Sequence, residues 1–192
     1  PAFNKPEKPV GMFYTESEAK KIEKEKGYTF VEDSGRGYRR VVPSPKPKEI
    51  IELGLIKDLL NQGNIVIVSG GGGIPVLSQD NKLQGASAVI EKDLAAGKLA
   101  ELLDADMLVI LTSVDKVCLN FGTDEEKALD TLSVADAKKY LEAGEFEEGT
   151  MAPKIEAAID FIGDSAIRSV LITKLNKEGT EVSGGMGTLI KK

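Results

Sequence analysis

The stretch that most constrains this chain is Asn64 to Val76, NIVIVSGGGGIPV. An apolar, β-branched run from Ile65 to Val68 meets four consecutive glycines, Gly70 to Gly73. Such a run predicts a strand buried on both faces. Glycines straight after it remove every side chain where the strand ends, so backbone N–H groups can approach a bound group closely and adopt φ > 0. In open α/β sheets ligands sit outside the carboxyl ends of the strands, which makes this a candidate phosphate or acyl-phosphate site. Four glycines also suit a plain flexible turn. The run fits neither GxxxxGK[ST] nor GxGxxG, so neither of those phosphate loops is implied.

The pattern around this stretch predicts alternating helices and strands. Lys48 to Gly63 reads as a helix, Asp93 to Leu103 as a second, Ser133 to Ala143 as a third, and Pro153 to Ile162 as a fourth with proline in its first turn. Met107 to Thr112 and Ser169 to Thr173 read as buried strands and Gly187 to Ile190 as a short last one, with a hairpin over Ser78 to Gly85. This order predicts an α/β fold with a mostly parallel sheet and helices on its faces. Residues 1–43 read differently. Pro1 to Gly11 is Pro- and Lys-rich and predicts irregular chain. A capping box at Thr15-Glu16-Ser17-Glu18 opens a helix that ends near Gly27. Tyr28 to Glu32 and Tyr38 to Val42 then form a hairpin. The prolines of Pro43-Ser44-Pro45-Lys46-Pro47 separate this small flap from residues 44–192. Its Arg36, Arg39 and Arg40 read as solvated rather than catalytic, though a flap closing over anions would use them.

Composition narrows the chemistry. The chain has 192 residues, no histidine and one cysteine, Cys118. His metal ligands, His general bases and Ser-His-Asp triads are excluded within it, as is an internal disulfide. A lone thiol fits a reducing, cytoplasmic setting. A net charge of −6 argues against nucleic acid and anionic membranes as partners. No apolar run is long enough to span a bilayer, and there is no signal peptide. The chain opens on Pro1, which reads as a processed chain or a piece of a longer one.

Two lysines are out of place. Lys92 in Glu91-Lys92-Asp93 and Lys154 after Pro153 both stand at predicted helix starts, where a cation opposes the helix dipole. They make sense if an anion binds there. Asp93 has an ordinary role as N-cap. Asp93 and Asp115 are also candidates to hold Mg²⁺, which takes one or two carboxylates plus phosphate oxygens. Asp115 serves equally well as a turn residue after the strand of Met107 to Thr112. Phe121 and Met151 lie in long loops and are candidates to pack on a nucleotide base, with core packing as the ordinary alternative. Glu145, Glu147 and Glu148 read as a solvated charge run.

Four segments resemble carbamate kinases of the amino-acid-kinase superfamily: GRGYRRVVPSPKP (Gly35 to Pro47), GGGGIPV (Gly70 to Val76), AVIEKDLA (Ala88 to Ala95) and GTMAPKIEAAI (Gly149 to Ile159). The resemblance runs through the chain in the family's order. It implies a three-layer α/β/α sandwich, a homodimer, and reversible transfer of phosphate between ATP and carbamate, giving ADP and carbamoyl phosphate, with Mg²⁺. It also implies ATP synthesis in arginine catabolism by the arginine deiminase route. By motif, Lys8, Lys92 and Lys154 match the family's phosphate-site lysines, Asp93 its metal-linked aspartate, and Gly70, Gly71, Gly72 and Gly73 its glycine loop. Phe121, Met151, Ala152 and Pro153 lie where the family builds its adenine pocket, and Asp115 near the nucleotide. Residues 1–43 match the subdomain that covers the active site. Ser113 stands where family members carry Asp, and Phe121 where they carry Tyr.

The family's N-terminal Gly-Gly-Asn-rich loop, which holds carbamate, has no match here. The chain therefore resembles the C-terminal portion of a carbamate kinase, with the N-terminal part of the fold missing. A sheet cut in this way is expected to expose an unpaired edge and apolar helix faces, and to be inactive alone. Two other readings stand beside this one: a different kinase of the superfamily, acting on glutamate, acetylglutamate or UMP, and a nucleotide-binding remnant that transfers nothing.

Overall fold

The computed structural model describes residues 2–80, 82–174 and 187–192. The chain forms two compact units, Pro1–Lys46 with Ser69–Glu91, and Pro47–Val68 with Lys92–Lys192.

The first unit holds β1 (Lys8–Tyr14), α1 (Glu16–Lys26), β2 (Thr29–Glu32) and β3 (Tyr38–Val42), with the sheet order β1-β3-β2, all antiparallel. The capping box forms as the sequence predicts. Glu18 N donates to Thr15 Oγ1 at 3.3 Å and Thr15 N to Glu18 Oε2 at 2.9 Å. Those bonds hold the Glu18 carboxyl below its ordinary pKa. The expectation of irregular chain before Gly11 is corrected, because Lys8, Pro9 and Val10 pair with Val42, Val41 and Arg40. β1 is an edge strand, and an edge tolerates a proline that has no N–H to donate. The arginines are not simply solvated. Arg39 donates to Asp33 at 3.2 Å and stacks over Phe13, and Arg40 lies 3.6 Å from the Tyr28 ring centroid. A separate hairpin, β4 (Val76–Gln79) and β5 (Lys82–Gly85), forms where it was expected.

The second unit holds α2 (Leu53–Asn61), α3 (Lys92–Leu102), β6 (Met107–Thr112), β7 (Cys118–Leu119), β8 (Lys127–Ala128), β9 (Thr131–Ser133), α4 (Val134–Glu142), α5 (Ala152–Ile162), β10 (Ser169–Lys174) and β11 (Thr188–Lys191). Its main sheet has the order β6-β10-β11-β9. Pairing is parallel for β6 with β10 and for β11 with β9, and antiparallel for β10 with β11. Even-numbered residues of β6 and β10 share one face, since Leu108 pairs with Val170 and Ile110 with Ile172. That face joins Phe161, Ile162 and Ile155 of α5 in the core. The opposite face of β6 is open, because Met107, Val109 and Leu111 are exposed. So β6 is a strand as predicted, but it is buried on one face only.

The central strand of the sequence reading is corrected most sharply. Residues 64–68 pair with no strand among the described residues, and Ile65 and Ile67 are 96% and 95% exposed. Burial on both faces needs a neighbouring strand and a covering layer, and an apolar run supplies neither by itself.

Candidate functional site

Asp93 and Lys154 are buried charges, and they are partners. Lys154 Nζ donates to Asp93 Oδ2 at 2.9 Å and to the Thr150 carbonyl at 3.1 Å. Lys92 Nζ donates to the same Asp93 oxygen at 3.3 Å. The Lys154 and Asp93 side chains are each 9% exposed, against 57% for that of Lys92. Asp93 is therefore not the N-cap that the sequence suggested: α3 already starts at Lys92, and the Asp93 carboxylate serves two ammonium groups. Both lysines sit in the first turns of 11-residue helices.

The packing of those helices explains the contact. Asp93 and Gly97 are one turn apart on α3, and Lys154 and Ala157 are three residues apart on α5, so each pair shares a helix face. A Cβ on Gly97 would stand 3.1 Å from the Ala157 carbonyl oxygen and 3.2 Å from the Ala157 Cβ. Glycine thus lets the helices approach closely enough for Lys154 to reach Asp93. Their N-termini lie side by side. Two ammonium groups meet at one carboxylate oxygen there, and both helix dipoles favour an anion beside them. Oxygen anions such as phosphates are the ligands that this arrangement favours.

A cavity of about 180 Å³ opens in the same unit. Phe121 and Met151 both line it, together with Ser113, Cys118 and Phe146. Thr150, which lines it too, carries the carbonyl that accepts from Lys154. Burial raises the pKa of the Cys118 thiol, and the Glu126 carboxylate raises it further. Ala152 and Pro153 form the first residues of α5 and are not among the lining residues. Asp115 lies exposed in the bend after β6, also outside the lining.

In the first unit Lys8 forms an ion pair with the mostly buried Glu91 carboxylate. Gly70, Gly72 and Gly73 have φ of 48°, 124° and 84°, values that favour glycine. The N–H groups of Gly72 and Gly73 donate to the Ser69 carbonyl at 2.8 and 2.7 Å, which makes a tight turn. Sequence reasoning missed Glu91, Gly97 and Thr150. Only Gly97 left a trace, in the small-residue run Ala95-Ala96-Gly97 inside a helix.

The donor set does not make a metal site from protein groups alone. Among the described residues no three His, Cys, Asp or Glu side chains cluster for a metal ion. The Asp93 oxygen that faces the lysines already accepts from two ammonium groups, which repel a cation. Among the described residues no helix is long and apolar enough to cross a membrane.

The sequence profile of the amino acid kinase family matches residues 9–173, and the chain belongs to that family. Within it, the chain is similar to carbamate kinases. It is 54% identical over 190 residues to the carbamate kinase-like protein YqeA of Escherichia coli K12, covering 99% of this chain and 61% of that protein. It is 52% identical to carbamate kinase 3 of Staphylococcus aureus, covering 99% of this chain and 62% of that one. The carbamate kinase from Giardia lamblia bound to AMP-PNP superposes with a TM-score of 0.86 at 42% identity, over 100% of this chain and 60% of that one. The α/β fold is that of these kinases. The chain spans about 61% of the length of the relatives it matches.

Proposed function

We propose that the protein is a carbamate kinase and that these 192 residues supply its nucleotide and phosphate end. The observation that carries this reading is the Lys92–Asp93–Lys154 cluster at two adjoining helix N-termini. In the ATP-forming direction a β-phosphate oxygen of ADP attacks the phosphorus of carbamoyl phosphate. The bond from phosphorus to the carbamate oxygen breaks, and carbamate leaves with its electron pair. No proton moves at the reacting atoms, so no general base is needed, which suits a chain without histidine. Catalysis reduces to holding anions in line and offsetting charge on the transferring phosphoryl group. Lys92 and Lys154 do this in our reading and Asp93 aims them, while Lys8 is counted among the phosphate-site lysines by the resemblance alone. Mg²⁺ bound to the nucleotide phosphates would offset part of their charge, with Asp93 as the carboxylate that the resemblance links to it.

In the same reading Phe121 and Met151 flank the adenine, with Ala152, Pro153 and Asp115 near the nucleotide. Gly70 to Gly73 give close backbone approach, and residues 1–43 act as a flap. The resemblance supports a cytoplasmic homodimer that makes ATP in arginine catabolism. Because the chain covers about 61% of its relatives' length, we expect these residues alone to bind ADP and form little ATP.

The test is complementation. The chain is joined to the unmatched part of the Staphylococcus aureus relative, and ATP formation from Mg-ADP and carbamoyl phosphate is measured. ATP from carbamoyl phosphate supports the proposal. ATP from glutamyl or acetylglutamyl phosphate, and none from carbamoyl phosphate, overturns it. ADP binding without transfer in the complemented protein would favour the nucleotide-binding remnant instead.

A further inference from the structure

Thr188 of β11 is a polar side chain with no exposed surface. Its hydroxyl is fully engaged by groups far away in sequence. Val117 N donates to Thr188 Oγ1 at 2.8 Å, and Thr188 Oγ1 donates to the Leu129 carbonyl at 2.5 Å. Val117 and Leu129 flank the two-stranded ribbon of β7 and β8, in which Cys118 pairs with Ala128 and Leu119 with Lys127. Leu129 N donates directly to the Val117 carbonyl at 2.9 Å. A plain antiparallel pair would exchange a second bond, from Val117 N to the Leu129 carbonyl. Here the Thr188 hydroxyl is inserted into that second bond and receives and passes on its hydrogen bond. The ribbon is thereby clamped to the main sheet at its base. Lys116 and Asp130, one residue further out on each side, add an ion pair.

The ribbon bears directly on the cavity. Lys116, Cys118 and Phe121 line it: Lys116 directly precedes Val117, and Cys118 and Phe121 lie beyond the Val117–Leu129 clamp toward the tip of the ribbon. Phe121 is itself 62% exposed, so little packing of its own holds it. We propose that Thr188 is a positioning residue for the adenine ring, fixing the ribbon so that Phe121 presents its face to the base. The proposal rests on the reading of this cavity as the adenine pocket. It assigns Thr188 no contact with the nucleotide.

Thr188→Val keeps the shape and removes the hydroxyl, leaving a buried N–H and a half-buried C=O without their partner. Thr188→Ser keeps the hydroxyl. Adenosine, ADP and tripolyphosphate are titrated into wild type and both variants by calorimetry. The expected result is that Thr188→Val weakens adenosine and ADP by a similar factor of about ten. Tripolyphosphate should bind it as it binds wild type, and Thr188→Ser should recover most of the adenosine affinity. A general structural role would lower all three ligands together, and that result overturns the proposal. So does unchanged adenosine binding in Thr188→Val, or no recovery in Thr188→Ser.

Wild type that binds ADP but responds to Thr188→Val in neither ligand defeats this inference alone. Wild type that binds neither adenosine nor ADP defeats the adenine-pocket reading beneath it. If Thr188→Val does not fold, amide exchange in wild type decides. Adenosine should slow exchange at Val117 N–H, and an unchanged rate overturns the proposal.

Discussion

Val170 and Ile172 of β10 have no exposed surface, whereas Ile65 and Ile67 are almost wholly exposed. The two segments carry the same kind of side chain, in runs of similar length. They differ in neighbours. β10 lies between β6 and β11, with α5 across its core face. Residues 64–68 have no paired strand among the described residues. Along β6 the same contrast appears within one strand, with Ile110 buried and Met107, Val109 and Leu111 exposed. α2 repeats it, since Ile56 is buried while Leu55 and Leu60 are exposed. Apolar character sets what a segment needs, and only partners decide whether it is met.

The contrast can be broken by paired substitutions. Phe161→Ala opens a cavity in the closed region and should cost about 3–5 kcal/mol of unfolding free energy, read by urea denaturation. Ile67→Ser removes an apolar group that is already in water and should change stability by less than about 0.5 kcal/mol. It should also reduce self-association in light scattering, because exposed apolar runs drive it. A cost for Ile67→Ser near that of Phe161→Ala would mean that residues 64–68 are covered after all.

A smaller effect sharpens the comparison at the site. Gly97→Val forces α3 and α5 apart and should cost about 1–3 kcal/mol. It should also weaken ADP more than adenosine, because the helix approach sets the reach from Lys154 to Asp93. Equal weakening of the two ligands would show that the helix spacing does not govern the phosphate end.

Much of this was legible in the sequence, and the parts that were not share a cause. The capping box at Thr15, the hairpins, and the bounds of β6 and α5 follow from local propensity and periodicity. Lys92 and Lys154 were visible as cations at the wrong ends of helices. The role of Asp93 was not, because it depends on how closely two helices pack 61 residues apart in sequence. β1 was hidden by its proline, whose tolerance depends on the strand being an edge. Thr188 left no signal at all, since a threonine in a strand is ordinary until its neighbours are known. The strand expected at Ile65 to Val68 failed for the converse reason: the local signal was strong and the partners it needs are not among the described residues.

The central claim is that Lys92, Asp93 and Lys154 form a phosphate site. The most direct test is calorimetric titration of ADP and of adenosine into wild type, Lys154→Met and Lys92→Met. Lys92 is the control for folding, because its side chain is largely exposed while removing Lys154 leaves Asp93 short of a buried partner. The account predicts that wild type binds ADP at least about tenfold more tightly than adenosine. It predicts that this gap narrows in both variants while adenosine affinity stays constant. Equal affinities for ADP and adenosine in wild type, or an undiminished gap in Lys92→Met and Lys154→Met, would contradict it.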